Sequence, residues 1–505
     1  MFDVFCLSVA LAVGQGAPAD SQPIPPAASG HATLGDEPPS RIPPALPAVG
    51  VPDTWVPART VSQVKPAEPK GPTPDSGPDK KPEEKKNGDE KKDEEKKDEK
   101  KEPEKGHFMK LIEGTPLGCK LEACKIKVDG WVDMSYTCSS RNTTNLPVTW
   151  NDRANAFLLQ QAWVNIGKDV DTDSKEVDTG FKVAFLYGTD YRFTLIRGFF
   201  NNQLKNPNID LSEPNGFEQN LYGFDIPLFY ASVWLPGIGG EGTQVDIGRM
   251  FCQLGYESVM APSSPLMSRS YAFQWAPPFF HMGIMATTKV DKNLTLKNMI
   301  ANGNDVFFDG SQEARYMGAI NWTSDDEKTT LALATSLGRG KFDASRPNGP
   351  AQGITTIGLA YEPFGRNNFN VFDLVYTQKI DDQFSVAFEA IYGYQQGVPA
   401  VATGSITNFN GTSGTCTWLS LVKYLNYNFS EQLGGILRLE AFYDAEGSRT
   451  GFEGWYWAGT AGLQFKPKDS IIFRPEIRYD YNGYSRPFEG EHGIFTAGAD
   501  LIIKF

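Results

Sequence analysis

The chain has 505 residues, 40% of them hydrophobic and 12% aromatic, with 50 Gly, 35 Pro and a formal net charge of -13. That acidic balance excludes nucleic acid as a partner, because phosphate binding needs clustered Lys and Arg. No run of about 18 or more apolar residues exists, so no transmembrane helix is expected, and the length suits several small domains or one large one.

The first residues, "MFDVFCLSVALAVGQGAPAD", carry a short apolar core from Val4 to Val13 and then small residues. This is the pattern of a secretory signal cut near Gly16 or Ala17, so residues 1–17 are assigned to a signal peptide and the protein to export. The usual positive start is replaced by Asp3, and an apolar tail is the alternative. Residues 18–105 divide into a stretch rich in Pro, Ala, Gly and Ser and a run of Lys, Glu and Asp, "KKPEEKKNGDEKKDEEKKDEKKEPEK". Such composition buries too little apolar surface to offset chain entropy, so a disordered linker is expected. A solvated spacer is one role for it, and a tether to an envelope polymer is another.

From Gly106 the character changes, and period-2 alternation recurs through residues 106–505. "CKIKVDGWVDMSYT" sets Val128, Val132, Met134 and Tyr136 against Lys127, Asp129 and Asp133. "QFSVAFEAIYGY" and "QLGGILRLEAFYD" repeat the pattern, the second with Arg438, Glu440 and Asp444 on its polar side. "IIFRPEIRYDYN" places Arg474, Glu476, Arg478 and Asp480 opposite Phe473, Ile477, Tyr479 and Tyr481, and "GIFTAGADLIIKF" ends on Phe505. Successive side chains of a strand point to opposite faces. About 16 to 18 such runs are present, those within 281–337 being the least regular, and helical periodicity is hard to find. The segment is all-β.

A soluble sandwich and a membrane barrel both have one apolar and one polar face per strand. Three features select the barrel. Many runs have the length of transmembrane strands, about 9–11 residues or more, rather than the usual 5–6 or so of globular ones. Their apolar faces end in aromatics, as at "WYW" 455–457, Tyr479, Tyr481, Tyr484 and Phe505, like an interfacial girdle. No linker divides the roughly 400 residues, although cores of that size usually split. Arg or Lys facing lipid costs about 2–4 kcal/mol at the midplane, so the charged rows must face a wet interior. The expectation is one transmembrane antiparallel β-barrel of about 16–18 strands, wide enough for an aqueous channel.

The phrases "GWVDMSYT", "NDRANAFLLQQAWV", "FLYGTDYRFT", "VDIGRMFCQLGYESVMAP", "SRSYAFQWAPPFFHMGI", "LRLEAFYDAEGSR" and "FRPEIRYDYN" together resemble the outer-membrane β-barrel porins of the OmpL-like type, across nearly all of residues 126–505. The resemblance implies an outer-membrane location, lipid around the barrel and a pore-forming role. It also implies that the terminal Phe505 is similar to the last-strand signal read by the barrel-assembly machinery. The N-terminal arm is outside the shared barrel. By analogy with other barrels of this size, a homo-oligomer is a further expectation.

Two long connections, 191–227 and 255–278, interrupt the alternation. The second, "GYESVMAPSSPLMSRSYAFQWAPP", either folds inward, bringing Glu257 and Arg269 to a constriction, or caps the barrel outside. The candidate pore lining is therefore Lys127, Asp129, Asp133, Glu257, Arg269, Arg438, Glu440, Asp444, Arg474, Glu476, Arg478 and Asp480. Facing charge rows of both signs favour passage of small polar solutes and ions with weak selectivity; the alternative is that Arg474, Glu476 and Arg478 pair with neighbouring strands and stiffen the wall.

Catalytic and metal motifs are not found in the sequence, and no cofactor or enzymatic activity is expected. Glu440 and Asp444 lie about 13 Å apart along one strand face, too far for glycoside hydrolysis. His281 is a structural residue or the base of a hydrolase. Cys119 and Cys124 form a local disulfide or stay free, since four scattered histidines supply no zinc spacing. A β-rich surface protein that binds carbohydrate is the competing function class.

Overall fold

In the computed structural model, residues 106–196, 198–200, 203, 221–307, 314–339, 369–401 and 409–505 are described. The expected signal peptide and linker, 1–105, lie outside them, as do parts of the 191–227 connection. Two short helices lead in, α1 (His107–Leu111) and α2 (Pro116–Ala123), the second capped by the Thr115 side chain, which accepts from the Gly118 N–H at 3.1 Å. Sixteen strands follow. They are β1 (Lys127–Ser139), β2 (Ala156–Lys168), β3 (Asp178–Gly188), β4 (Gly223–Pro236), β5 (Gly242–Phe251), β6 (Phe280–Lys289), β7 (Leu294–Ala301) and β8 (Arg315–Thr323). The second half comprises β9 (Thr329–Leu337), β10 (Asn370–Lys379), β11 (Phe384–Val401), β12 (Phe409–Asn428), β13 (Leu433–Asp444), β14 (Gly454–Lys468), β15 (Ile471–Asn482) and β16 (Gly493–Lys504). Each pairs antiparallel with its neighbours, and β1 pairs with β16, closing the barrel. The strand number falls at the lower end of the expected range.

Alternation in the sequence becomes the two faces of the wall. Along β15 the residues Arg474, Glu476, Arg478, Asp480 and Asn482 are buried, while Phe473, Ile477, Tyr479 and Tyr481 are exposed. Exposed aromatics gather near both rims. Tyr136, Tyr187, Trp457, Tyr479, Tyr481 and Phe495 lie towards one end, and Trp322, Tyr427, Phe429, Phe465 and Phe473 towards the other, as the girdles of a membrane barrel require. Within "WYW" only Trp455 and Trp457 join the girdle, stacked 5.6 Å apart; Tyr456 turns inward and is fully buried.

The connections differ sharply between rims. At the rim that carries the lead-in helices and the C-terminus, β6 and β7, β10 and β11, and β12 and β13 are joined by turns of one design. Asp291 Oδ1 accepts from the N–H of Asn293 and Leu294, Asp381 Oδ1 from Gln383 and Phe384, and Ser430 Oγ from Gln432 and Leu433. In each, a side-chain oxygen replaces a missing backbone partner and fixes the hairpin. The long connections leave the opposite rim. Short turns face the periplasm and long loops the exterior in outer-membrane barrels.

The last strand is tied to the first beyond its final paired residue. Phe505 N–H donates to the Gly130 carbonyl at 2.9 Å and Gly130 N–H to the Phe505 carbonyl at 3.2 Å. A Cβ at Gly130 would lie 2.6 Å from Phe505 Cζ, so the ring occupies the space that glycine leaves. Among the described residues all five cysteines are free. Of the two alternatives for Cys119 and Cys124, a local disulfide or free thiols, the structure has free, exposed thiols.

Candidate functional site

The barrel interior is occupied by the connection between β5 and β6, residues 252–279. Apolar side chains along it, including Leu254, Leu266, Met267, Phe273, Trp275 and Phe279, are buried. They meet the connection between β1 and β2, where Trp150 lies 5.1 Å from Phe193 and 5.4 Å from Phe273. The inward alternative for this segment is therefore the one the fold adopts. A core of packed side chains inside the barrel is the reason it stays there: water released from these surfaces drives the loop inward as it would drive any domain core.

The segment crosses the lumen. Gly255 N–H donates to Asp373 Oδ2 on β10 at 2.6 Å, and Tyr256 N–H to Glu389 Oε1 on β11 at 3.0 Å. A few residues on, the Val259 carbonyl accepts from Gln161 Nε2 on β2 at 2.8 Å, while Ala261 N–H donates to Gln161 Oε1 at 3.1 Å. β2 and β10 stand eight strands apart in a ring of sixteen, on opposite walls. From Gly255 to Val259 the backbone reaches at most about 14 Å. The segment is a strut across a diameter.

Beyond Ala261 the strut lies along the charged wall and consumes its charges. Arg474 Nη1 donates to the carbonyls of Ala261 and Ser264 at 2.9 and 2.6 Å, and its Nε to Asp500 at 3.0 Å. Ser268 N–H donates to Glu476 at 3.2 Å, and Arg478 binds Asp480 while donating to the Arg269 carbonyl at 2.6 Å. Arg438 joins Glu257, Glu440 and the Ser268 carbonyl at 2.8, 2.7 and 2.6 Å. Glu440 also accepts from Tyr271 N–H at 2.6 Å, and Glu257 from Ser270 N–H at 2.9 Å. Two glycines in the wall are sockets for strut side chains: a Cβ at Gly462 would lie 2.5 Å from Leu266 Cδ2, and one at Gly498 2.7 Å from Met267 Cε.

The family described as "Putative beta-barrel porin-2, OmpL-like" matches residues 125–505. The chain belongs to that family. Among solved structures it is similar to the outer membrane channel DcaP of Acinetobacter baumannii, with a TM-score of 0.47 at 8% identity over 75% of this chain and 97% of that one. It is similar also to the anion-selective porin from Comamonas acidovorans, with a TM-score of 0.47 at 9% identity over 75% and 99%, and to OmpT of Vibrio cholerae, 0.45 at 9% over 75% and 97%. No curated protein is similar to the chain in sequence.

In this porin the twelve candidate lining residues take three kinds of place. Lys127 and Asp129 are exposed near the short-turn rim, Lys127 paired with Asp169 at 3.1 Å and Asp129 accepting from Asn165 at 2.7 Å. Glu257, Arg438, Glu440, Arg474, Glu476, Arg478 and Asp480 form the wall-to-strut network. Asp133, Arg269 and Asp444 are buried as well; Asp444 Oδ2 accepts from the N–H groups of Arg449 and Thr450 at 3.0 and 2.7 Å, bracing the connection between β13 and β14. Arg269 lies over Trp150 and Phe273, and burial lowers its basicity despite the opposing pull of Glu257. His281 is fully buried with its Nδ1 2.9 Å from the Gly303 carbonyl.

Loop acids supply two further anchors. Asp152 forms a two-pronged pair with Arg192 at 2.9 and 2.7 Å; burial opposes its charge, but Arg192 outweighs that and lowers its pKa below the usual range. Asp190 accepts from Gln161 Nε2 at 2.8 Å, and burial pushes its pKa up to about 7 in spite of that bond. The sequence reading missed Gln161, Asp190, Asp373 and the two glycine sockets. Glu389 was on the polar side of its alternating run, and that was the one available signal.

Proposed function

We propose that this porin is a passive channel for small hydrophilic solutes and ions whose bore is set by the strut. The observation that carries the reading is the attachment of one segment to opposite walls, at Asp373 and at Gln161. A segment held in this way divides the cross-section into narrower passages and favours small solutes over large ones. The charged rows act in this reading mainly by holding the strut, with Lys127 and Asp129 facing water at the periplasmic mouth. Ion preference is weak in this reading, because Arg438, Glu440, Arg474, Arg478 and Asp480 are paired within the wall and the strut rather than left to act on a passing ion.

Planar-bilayer recordings of the purified protein test this directly. Small, stable conductance steps are expected, with exclusion of sugars beyond the smallest in liposome swelling. Shortening the strut between Val259 and Ser268 should enlarge the steps. Folded wild-type protein without conductance would remove the channel reading.

A further inference from the structure

Beneath the strut, three neighbouring strands present oxygens with nothing to bind. Asp373 on β10 and Glu389 on β11 are 5% and 1% exposed. Each gives one carboxylate oxygen to the strut, as described above. The other oxygen of each, Asp373 Oδ1 and Glu389 Oε2, has no hydrogen-bond partner among the described residues. Asp373 stands opposite Ile391 and Glu389 opposite Val375, so the two acids are diagonal neighbours on one face, about 7–8 Å apart. Ile391 stands in turn opposite Ser420 on β12, whose buried Oγ is likewise unpartnered.

The surroundings do not neutralise the pair. The charged groups that weigh most on Glu389 are Asp373, Glu257 and Glu440, all acidic. Arg438, which is close to the last two, is already bound by both. Ala332, Val375, Ile391 and Val422 are buried around the acids, and the rings of Tyr256 and Tyr424 complete the lining. Two carboxylates held ionised in such a place cost several kcal/mol each unless a positive charge joins them.

We propose that Asp373, Glu389 and Ser420 form a site for a hard cation, Ca2+ being the best match. Such ions take oxygen ligands at about 2.3–2.6 Å in irregular sets completed by water, and accept carboxylate and neutral oxygens together. A hydroxyl on a third strand fits an ion site and has no part in a proton shared by two carboxyls. Because the outer oxygens of the same two acids hold Gly255 and Tyr256, the ion would also secure one end of the strut.

The test is calorimetric titration of CaCl2 into the full-length protein, refolded in detergent after chelator treatment. The comparison is with D373N/E389Q and S420A, each checked for a folded barrel by heat-modifiable migration. Saturable binding to wild type, lost in D373N/E389Q and weakened in S420A, is the expected result. Absence of saturable binding to folded wild type, or equal binding by folded D373N/E389Q, overturns the proposal. So does a protein that binds no Ca2+ but gains stability on acidification through these two residues, since that identifies a shared proton instead.

Discussion

Arg438 on β13 and Glu257 on the strut form an ion pair of 2.8 Å in which neither side chain reaches solvent, the exposures being 0% and 1%. The guanidinium also holds Glu440 and the Ser268 backbone and side chain. One wall residue thus fixes two distant points of the strut. Removing one partner of a buried pair leaves an uncompensated charge, at a cost of about 3–5 kcal/mol. Arg438→Ala is expected to lower the temperature of heat-modifiable migration strongly and to make single-channel current noisy. Glu257→Gln, which keeps the shape and one of the two acceptor oxygens while Arg438 retains Glu440, should have the milder effect. Equal stability of R438A and wild type would show that the network does not hold the strut.

The Gly462 socket gives a more selective lesion. Valine there collides with Leu266, and overpacking of this kind costs about 1–3 kcal/mol, met by moving the strut and not the wall. Larger conductance with normal barrel assembly is expected for Gly462→Val, and Leu266→Ala in the same chain should restore wild-type steps by making room. Gly498 is a poorer choice, since its added Cβ would also press on the Tyr136 carbonyl at 2.7 Å.

Acidity should act on the strut through Asp190. Its pKa in the folded protein is about 7, raised by burial and opposed by Gln161, with Arg269, Arg192 and Asp152 as its charged neighbours. A raised carboxyl stabilises the fold fully below its unfolded value near 4 or so, and the contribution fades as pH rises through about 7. Thermal stability of wild type is therefore expected to fall between pH 5 and 8 or so, and less steeply in Asp190→Asn. Identical slopes would assign the pH dependence elsewhere. The Asp152–Arg192 pair has the opposite sign: its contribution is present above the unfolded carboxyl value and is lost as pH falls through the depressed one.

Deletion of Phe505 removes two backbone hydrogen bonds and the ring over Gly130. We expect less heat-modifiable barrel in the outer membrane, with export unchanged. Gly130→Ala, whose Cβ would meet the Trp163 carbonyl at 2.2 Å as well as the ring at 2.6 Å, should disturb the same seam. Full assembly of both variants would count against a role for this residue at the seam.

The wall was legible in the sequence where lipid and charge oppose each other across a strand, as on β13, β15 and β16. It was least legible at β7 to β9. There the inner face carries Met299, Met317, Ala319 and Ala334, buried against the strut side of the interior. With apolar side chains on both faces, alternation loses its contrast. The position of residues 255–278 was open for another reason. Its anchors lie far off in the chain, Asp373 at 118 residues from Gly255 and Glu476 at 208 from Ser268, and no local pattern records such partners. The charge ladder of β15 was read correctly as facing inward, but not that Arg474 and Arg478 would end on backbone carbonyls.

A sheet rolled into a cylinder can flatten by bending between neighbouring strands without breaking the ladders that join them. A chord bonded to both walls changes that. In this porin the strut acts as a tie rod: squeezing the barrel towards an oval along the β2–β10 diameter must buckle the rod, and stretching it must pull on Gln161 and Asp373. Lateral pressure from the bilayer is thereby transmitted to the strut, and in the proposed channel girth and bore would change together.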